Sequence, residues 1–231
     1  MRIYVPPKHL PQTIVFVRHP QCLHNASFER AFKQGIPNKL SPLTEFGTLQ
    51  CEITAEYLKT KFGAFNAVYS SKYPRTHTIP ESMGQSFNPQ VYAELDECDA
   101  GIWHTMSRRE IKKRYPTDIL RHESESPYHY KARDGESCAE VEKRLIDFLS
   151  LTNELAGKQC ILISGHGVSG LYLRRLLTGA SVETWNEWYK KGGRLKNASV
   201  TVFKRRGVFY TTPLYNYVPW AGKINSRHVP K

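Results

Sequence analysis

Short apolar runs alternate with helical stretches along this 231-residue chain, and no other feature limits its fold as much. Thr13 to Val17 alternates β-branched and aromatic side chains, the pattern of a buried strand. LSPLTEFGTLQCEITAEYLKTKFG reads as a helix starting near Thr44, with Ile53, Tyr57 and Leu58 on one face and Gly63 at its end. AFNAVYSS and QVYAEL follow as extended pieces. Ser107 with Glu110 is a capping box before IKKRY, which Pro116 terminates. Ser137 with Glu140 repeats the box ahead of a long helix whose apolar stripe is Val141, Leu145, Phe148 and Leu155. The strand QCILIS, the helix VSGLYLRRLL, a helix around Trp185 and Trp188, and the strands ASVTVF and VFYTT complete the chain. This alternation implies a three-layer α/β/α fold with a mostly parallel central sheet. Nothing divides residues 1–231, so a single domain is expected, with a lid over 98–134 and a basic C-terminal tail over 213–231. Within the lid, His122 to Asp134 reads as loop.

Where the strands stop is equally informative. The first ends at Arg18 and His19, the second just before Pro74 and Arg75, and the QCILIS strand at Gly165 and His166. Side chains at the carboxyl ends of parallel strands face the crevice where ligands bind. A guanidinium there offers a planar donor fork suited to phosphate oxygens. An imidazole beside it can act as a nucleophile or proton carrier near neutral pH. One strand-end Arg–His pair could equally solvate a sheet edge; three such ends point to a shared anion pocket.

The formal charge of +12 favours anionic ligands. Much of it lies in Lys190, Lys191, Arg194, Lys196, Lys204, Arg205, Arg206 and the stretch Lys223 to Lys231, which reads as a solvated basic face. No zinc-finger spacing or RNA-binding aromatic signature accompanies it, so nucleic acid is not the expected partner. Five scattered cysteines, Cys22, Cys51, Cys98, Cys138 and Cys160, lack metal-ligand spacing and suggest a reduced, cytoplasmic compartment. MRIYVPPKHLP has no signal-peptide core, and no stretch reaches membrane-spanning length. Without a secretory signal, the triplets Asn25–Ser27 and Asn197–Ser199 are not read as glycan sites.

Arg18, His19 and Pro20 with downstream Asn25, then SSKYPRT, then SGHGVS, resemble the motifs of the histidine phosphatase superfamily, whose fold is phosphoglycerate mutase-like. The likeness holds in order over about 170 residues, which makes it specific. Within that superfamily, ELDECDAGIWHTMSRREIKKRYP and the later DGES resemble the fructose-2,6-bisphosphatase domain of the bifunctional sugar kinase/phosphatase. The resemblance implies a metal-independent phosphatase without a cofactor, hydrolysing a small phosphorylated metabolite such as a sugar phosphate or nucleotide. His19 would form a phosphohistidine, with Arg18, Arg75 and His166 holding phosphoryl oxygens and Asn25 and Gly167 adding contacts. Glu97 would be the acid/base, with Asp96 and Asp99 as neighbouring carboxylates. His24, His77 and His104 read as ordinary histidines, and Cys22 as a packing residue.

The chain departs from the family pattern in two places. Pro20 replaces a glycine, removing an N–H and restricting His19. Asp134, Gly167 and Leu171 stand where the sugar bisphosphatase has a lysine, a glutamine and an arginine for a second phosphate, so fructose 2,6-bisphosphate is not the expected substrate. Lys131, Arg133 and Arg174 are candidate replacements. Two rivals remain open: a phosphoglycerate-type mutase, and a catalytically weak phosphate-binding module, for which Pro20 is the best support. Only 38 positions separate Glu97 from Gly135, shorter than the mutase insertion.

Overall fold

A computed structural model describes residues 3–151 and 155–224. Among them, six strands form one sheet in the order β3-β2-β4-β1-β5-β6: β1 (Thr13–Arg18), β2 (Ala67–Ser70), β3 (Gln90–Val91), β4 (Cys160–Gly165), β5 (Val200–Arg206) and β6 (Phe209–Tyr217). The pairs β1–β4, β2–β4 and β2–β3 are parallel; β1–β5 and β5–β6 are antiparallel. The fold is the expected three-layer α/β arrangement, with an antiparallel pair closing one edge of a parallel sheet.

Register is what positions the site. Arg18 pairs with Gly165, and Ser70 with Ser164, so β1, β2 and β4 end nearly level. The residues just beyond, His19, Ser71 and His166, therefore leave the sheet at one edge.

Alternation along β1 builds the two core layers. Ile14 and Phe16 join Leu145, Phe148, Leu171 and Leu176 on one face, while Val15 and Val17 join Cys51, Ala55, Leu58 and Ile79 on the other. Each fully buried Leu or Ile among these contributes about 1.5–3 kcal/mol.

The helix near Thr44 spans Glu45–Phe62, capped by the Thr44 hydroxyl accepting from Gly47 N and ended by Gly63 at φ 68°. Its buried face differs from the expected one: Cys51, Ala55 and Leu58 are buried beside Gln50 and Thr54, while Ile53 and Tyr57 lie half-buried on the flank. Inward polar groups explain this. Gln50 Oε1 accepts from Gln21 N at 2.8 Å, and Thr54 Oγ1 donates to Ala198 O at 3.2 Å, so both are satisfied in the interior.

Both capping boxes form, at Ser107 and Ser137. Pro116 ends the helix Arg108–Arg114 and also opens the helix Pro116–Ser124, because proline fits a first turn without its N–H. His122 is consequently helical, not loop. The Ser137-capped helix stops at Leu149; Leu155 is buried in the same core beyond that end, and 152–154 lie outside the described residues. In QVYAEL only Gln90–Val91 is strand, and Ala93–Leu95 is a 3-10 turn. Residues 213–217, expected as tail, finish β6, while the basic stretch from 225 to Lys231 lies outside the described residues. The helix Gly167–Thr178 follows β4 and Val182–Lys190 follows it.

Candidate active site

The level strand ends open into a cavity of about 410 Å³ lined by Arg18, His19, Asn25, Arg75, Glu97 and Gly167. His166 stands behind that wall, fully buried, its ring edge-on to His19 with centroids 5.2 Å apart. All seven residues singled out from the sequence thus converge.

His19 is 2% exposed and fixed on both sides. Its backbone N donates to Gly165 O at 2.9 Å, and its own carbonyl accepts from Ala198 N at 3.1 Å and Asn197 Nδ2 at 3.2 Å. Ring Nδ1 lies 2.6 Å from the Pro20 carbonyl oxygen, which can only accept. The proton of the neutral ring therefore sits on Nδ1, and Nε2 carries the lone pair. Burial, then the charges of Arg75 and Arg18, hold the imidazole well below the usual histidine range, so it is neutral at pH 7.

The two guanidinium groups are anchored by carbonyls, not by carboxylates. Arg75, in the 3-10 turn Pro74–Thr76, donates to Asn38 O at 2.5 Å and lies over the Tyr73 ring. Arg18 donates to Leu195 O. Neither Nε finds a partner, leaving buried donors beside the cavity. A Cβ at Gly167 would stand 3.3 Å from Arg18 Nε and Cζ, so glycine gives Arg18 its room. His166 Nε2 shares a proton with Ser71 Oγ at 2.8 Å, and its Nδ1 is buried without a partner. Burial, then the nearness of the His19 ring and the Arg75 and Arg18 charges, keep it too well below the ordinary range.

Of the three neighbouring carboxylates, only Glu97 lines the cavity. It accepts from Cys98 N, Ser169 N and Val168 N at 3.0–3.2 Å, bridging the segment that starts at Cys98 to the helix Gly167–Thr178. Asp96 accepts from Lys72 N, and Asp99 pairs with His104 and Gly101 N. Arg144, which sequence reasoning missed, clamps this segment: it donates to the carbonyls of Glu94, Asp96 and Glu97 and forks onto both Glu136 oxygens at 3.0 Å. Its signal was only a helical arginine downstream of DGES.

Asn25 Oδ1 accepts from Asn197 Nδ2 at 2.9 Å and from Cys22 N and Sγ at 3.3 Å, so Cys22 acts through packing and a hydrogen bond. Asn25 and Asn197, the asparagines of the two glycan-type triplets, are thus bonded to each other.

The rest of the lining was not foreseen. His24 and His104, read as ordinary, belong to it together with Phe28, Trp103, His122 and Tyr130. His77 is elsewhere, donating from Nε2 to Ser71 O at 2.8 Å. Asp134 is exposed in a shallow groove outside this cavity, and Leu171 is core, so neither meets a ligand here. Nor do the proposed replacement cations: Lys131 pairs with Glu140, Arg133 with Asp118, and Arg174 stacks between Trp188 and Tyr215. Among the described residues no group of three or more His, Cys, Asp or Glu is placed to hold a metal ion, and no helix is long and apolar enough to cross a membrane. The five cysteines are free.

A buried neutral histidine between two arginines, at the level ends of an α/β sheet, makes a cationic pocket suited to an anion, with a ring-nitrogen lone pair inside it. Residues 14–216 match the model of the histidine phosphatase superfamily (branch 1), and the chain belongs to that family. It is 28% identical over 157 residues to 6-phosphofructo-2-kinase/fructose-2,6-bisphosphatase of Caenorhabditis elegans, covering 68% of this chain and 32% of that protein. It is 29% identical over 128 residues to phosphoserine phosphatase 1 of Hydrogenobacter thermophilus, covering 54% and 59%. The chain thus spans between a third and three-fifths of these curated relatives. The crystal structure of alpha-ribazole phosphatase from Shigella flexneri shares the fold, with TM-score 0.71 at 18% identity over 88% of this chain and 96% of that one.

Proposed function

We propose that this chain is a metal-independent phosphatase that hydrolyses a small phosphomonoester through a phosphohistidine at His19. The observation that carries this reading is the tether of His19 Nδ1 to Pro20 O, which leaves a buried neutral Nε2 lone pair beside Arg18 and Arg75.

The Nε2 lone pair attacks phosphorus as the bond from phosphorus to the leaving oxygen breaks. Glu97 gives that oxygen its proton, then takes one from the water that attacks the phosphohistidine, returning His19 to its neutral form. Arg18 and Arg75, with buried N–H donors not engaged by protein, bind the equatorial oxygens. When Ser71 donates to His166 Nε2, the proton on Nδ1 makes His166 a third donor on that side. These groups are fixed before substrate arrives, so charge developing on the phosphoryl oxygens meets oriented donors without reorganisation. Asn25 adds a neutral amide donor at the rim.

The cavity supports a substrate with one phosphoryl group. Beyond Arg18 and Arg75, its only lining guanidinium or ammonium among the described residues is Arg194. Phosphate release from a panel of phosphorylated metabolites, wild type beside His19→Ala, tests the reading. Turnover lost in the variant supports it; equal turnover in both refutes it.

A further inference from the structure

We infer that the leaving group of the substrate carries a flat aromatic ring, held against the aromatic side chains that line the cavity. The inference rests on the phosphatase reading for where the phosphoryl group sits, and concerns the aromatic part of the same cavity.

That part is lined by rings from three separate segments. Trp103 and His122 lie with centroids 4.7 Å apart, His122 meets Tyr130 edge-on at 5.1 Å, and Trp103 Nε1 donates to Tyr130 OH at 2.9 Å, so the lid presents one locked aromatic surface. Phe28, in the helix Phe28–Lys33, adds a further ring, with His24 edge-on to it at 6.1 Å. All five line the cavity.

Several polar groups in this lining are spent on one another, while His24 Nδ1 is buried without a partner. Asn38 Nδ2 bonds His104 Nε2 at 3.2 Å, and Asp99 meets the other His104 nitrogen at 3.5 Å. Glu136 is forked by Arg144, and Tyr130 OH accepts from Trp103. A polyol would leave its hydroxyls unmatched against such a surface, at a cost for each buried polar group. A second phosphate would meet no buried cation there. Flat π faces suit a stacked ring. Two kinds of molecule share this chemistry, a nucleoside monophosphate and an arylalkyl phosphate.

Matched substrates separate the ring from the chemistry of the leaving oxygen. Adenosine 5′-monophosphate against ribose 5-phosphate is one pair, and 2-phenylethyl phosphate against propyl phosphate the other. The inference expects kcat/KM at least about 10-fold higher for the ring-bearing member of at least one pair, and which pair responds identifies the source. Trp103→Ala should bring that ratio to within about threefold of unity, with Trp103→Phe retaining it; Phe28→Ala, in a separate helix, is an independent second variant. Ratios near unity in the wild type, or a preference that survives both alanine variants, would overturn the inference while leaving a working phosphatase intact. If no phosphomonoester is turned over, the functional reading fails by itself. Calorimetric binding of the same pairs then decides the ring question, and equal affinities would overturn it.

Discussion

Nδ1 of His19 lies 2.6 Å from the carbonyl oxygen of Pro20, the residue that replaces the family glycine. The contact uses a group that proline retains; the N–H that proline lacks has no part in orienting the ring. Pro20→Gly should therefore keep kcat within about threefold of wild type while lowering stability by about 0.4–1 kcal/mol through a freer unfolded chain. Steady-state kinetics with thermal melts check both. A kcat that rises more than tenfold would mean that proline impairs the site.

Stability should fall in mild acid. Burial, aided by neighbouring positive charge, holds the folded-state pKa of His19 and His166 well below the ordinary value. The unfolded chain protonates both near pH 6.5. Below that pH it binds more protons than the folded chain, so their contribution is present above about 6.5 and is lost as pH falls. Each costs about 1 kcal/mol between pH 6.5 and 5.5. Melting curves across this range should show the drop, and His19→Asn should show a smaller one. A wild-type Tm that does not change with pH would contradict the assignment.

Glu97→Gln should lower kcat by about 10²–10⁴. The one carbonyl oxygen of glutamine can still accept from Cys98 and Ser169 N–H, but its NH2 turns a donor toward Val168 N–H, and the side chain cannot relay a proton. Because water activation is lost too, the variant should accumulate phosphoenzyme in rapid-quench experiments. Wild-type turnover would move the acid/base role elsewhere.

Away from the cavity, Glu142 is 7% exposed, pairs with Arg175 and accepts from the Tyr128 hydroxyl. Glu142→Ala leaves a buried guanidinium uncompensated and should cost about 3–5 kcal/mol, read from denaturant unfolding. A loss below about 1 kcal/mol would mean that water reaches Arg175.

The near side of the site was legible in the sequence because strand ends announce themselves. Arg18, His19, Arg75 and His166 each follow an apolar run, and parallel register carries them to one edge. The aromatic lining was not. Trp103, His122 and Tyr130 meet across the turn at Tyr115, after which Pro116 starts a second short helix. Nothing local in sequence marks that turn beyond the concentration of aromatic residues between 98 and 134. The burial of Gln50 and Thr54 was hidden for a related reason: their partners, Gln21 and Ala198, lie far along the chain.

The most direct test of the account is to quench the protein during turnover of a phosphomonoester and map the phosphorylated residue by mass spectrometry under conditions that preserve phosphohistidine. The expected result is an acid-labile phosphoryl group on His19, absent from His19→Ala. Phosphate release with the label on another side chain, or undiminished release by His19→Ala, would contradict it.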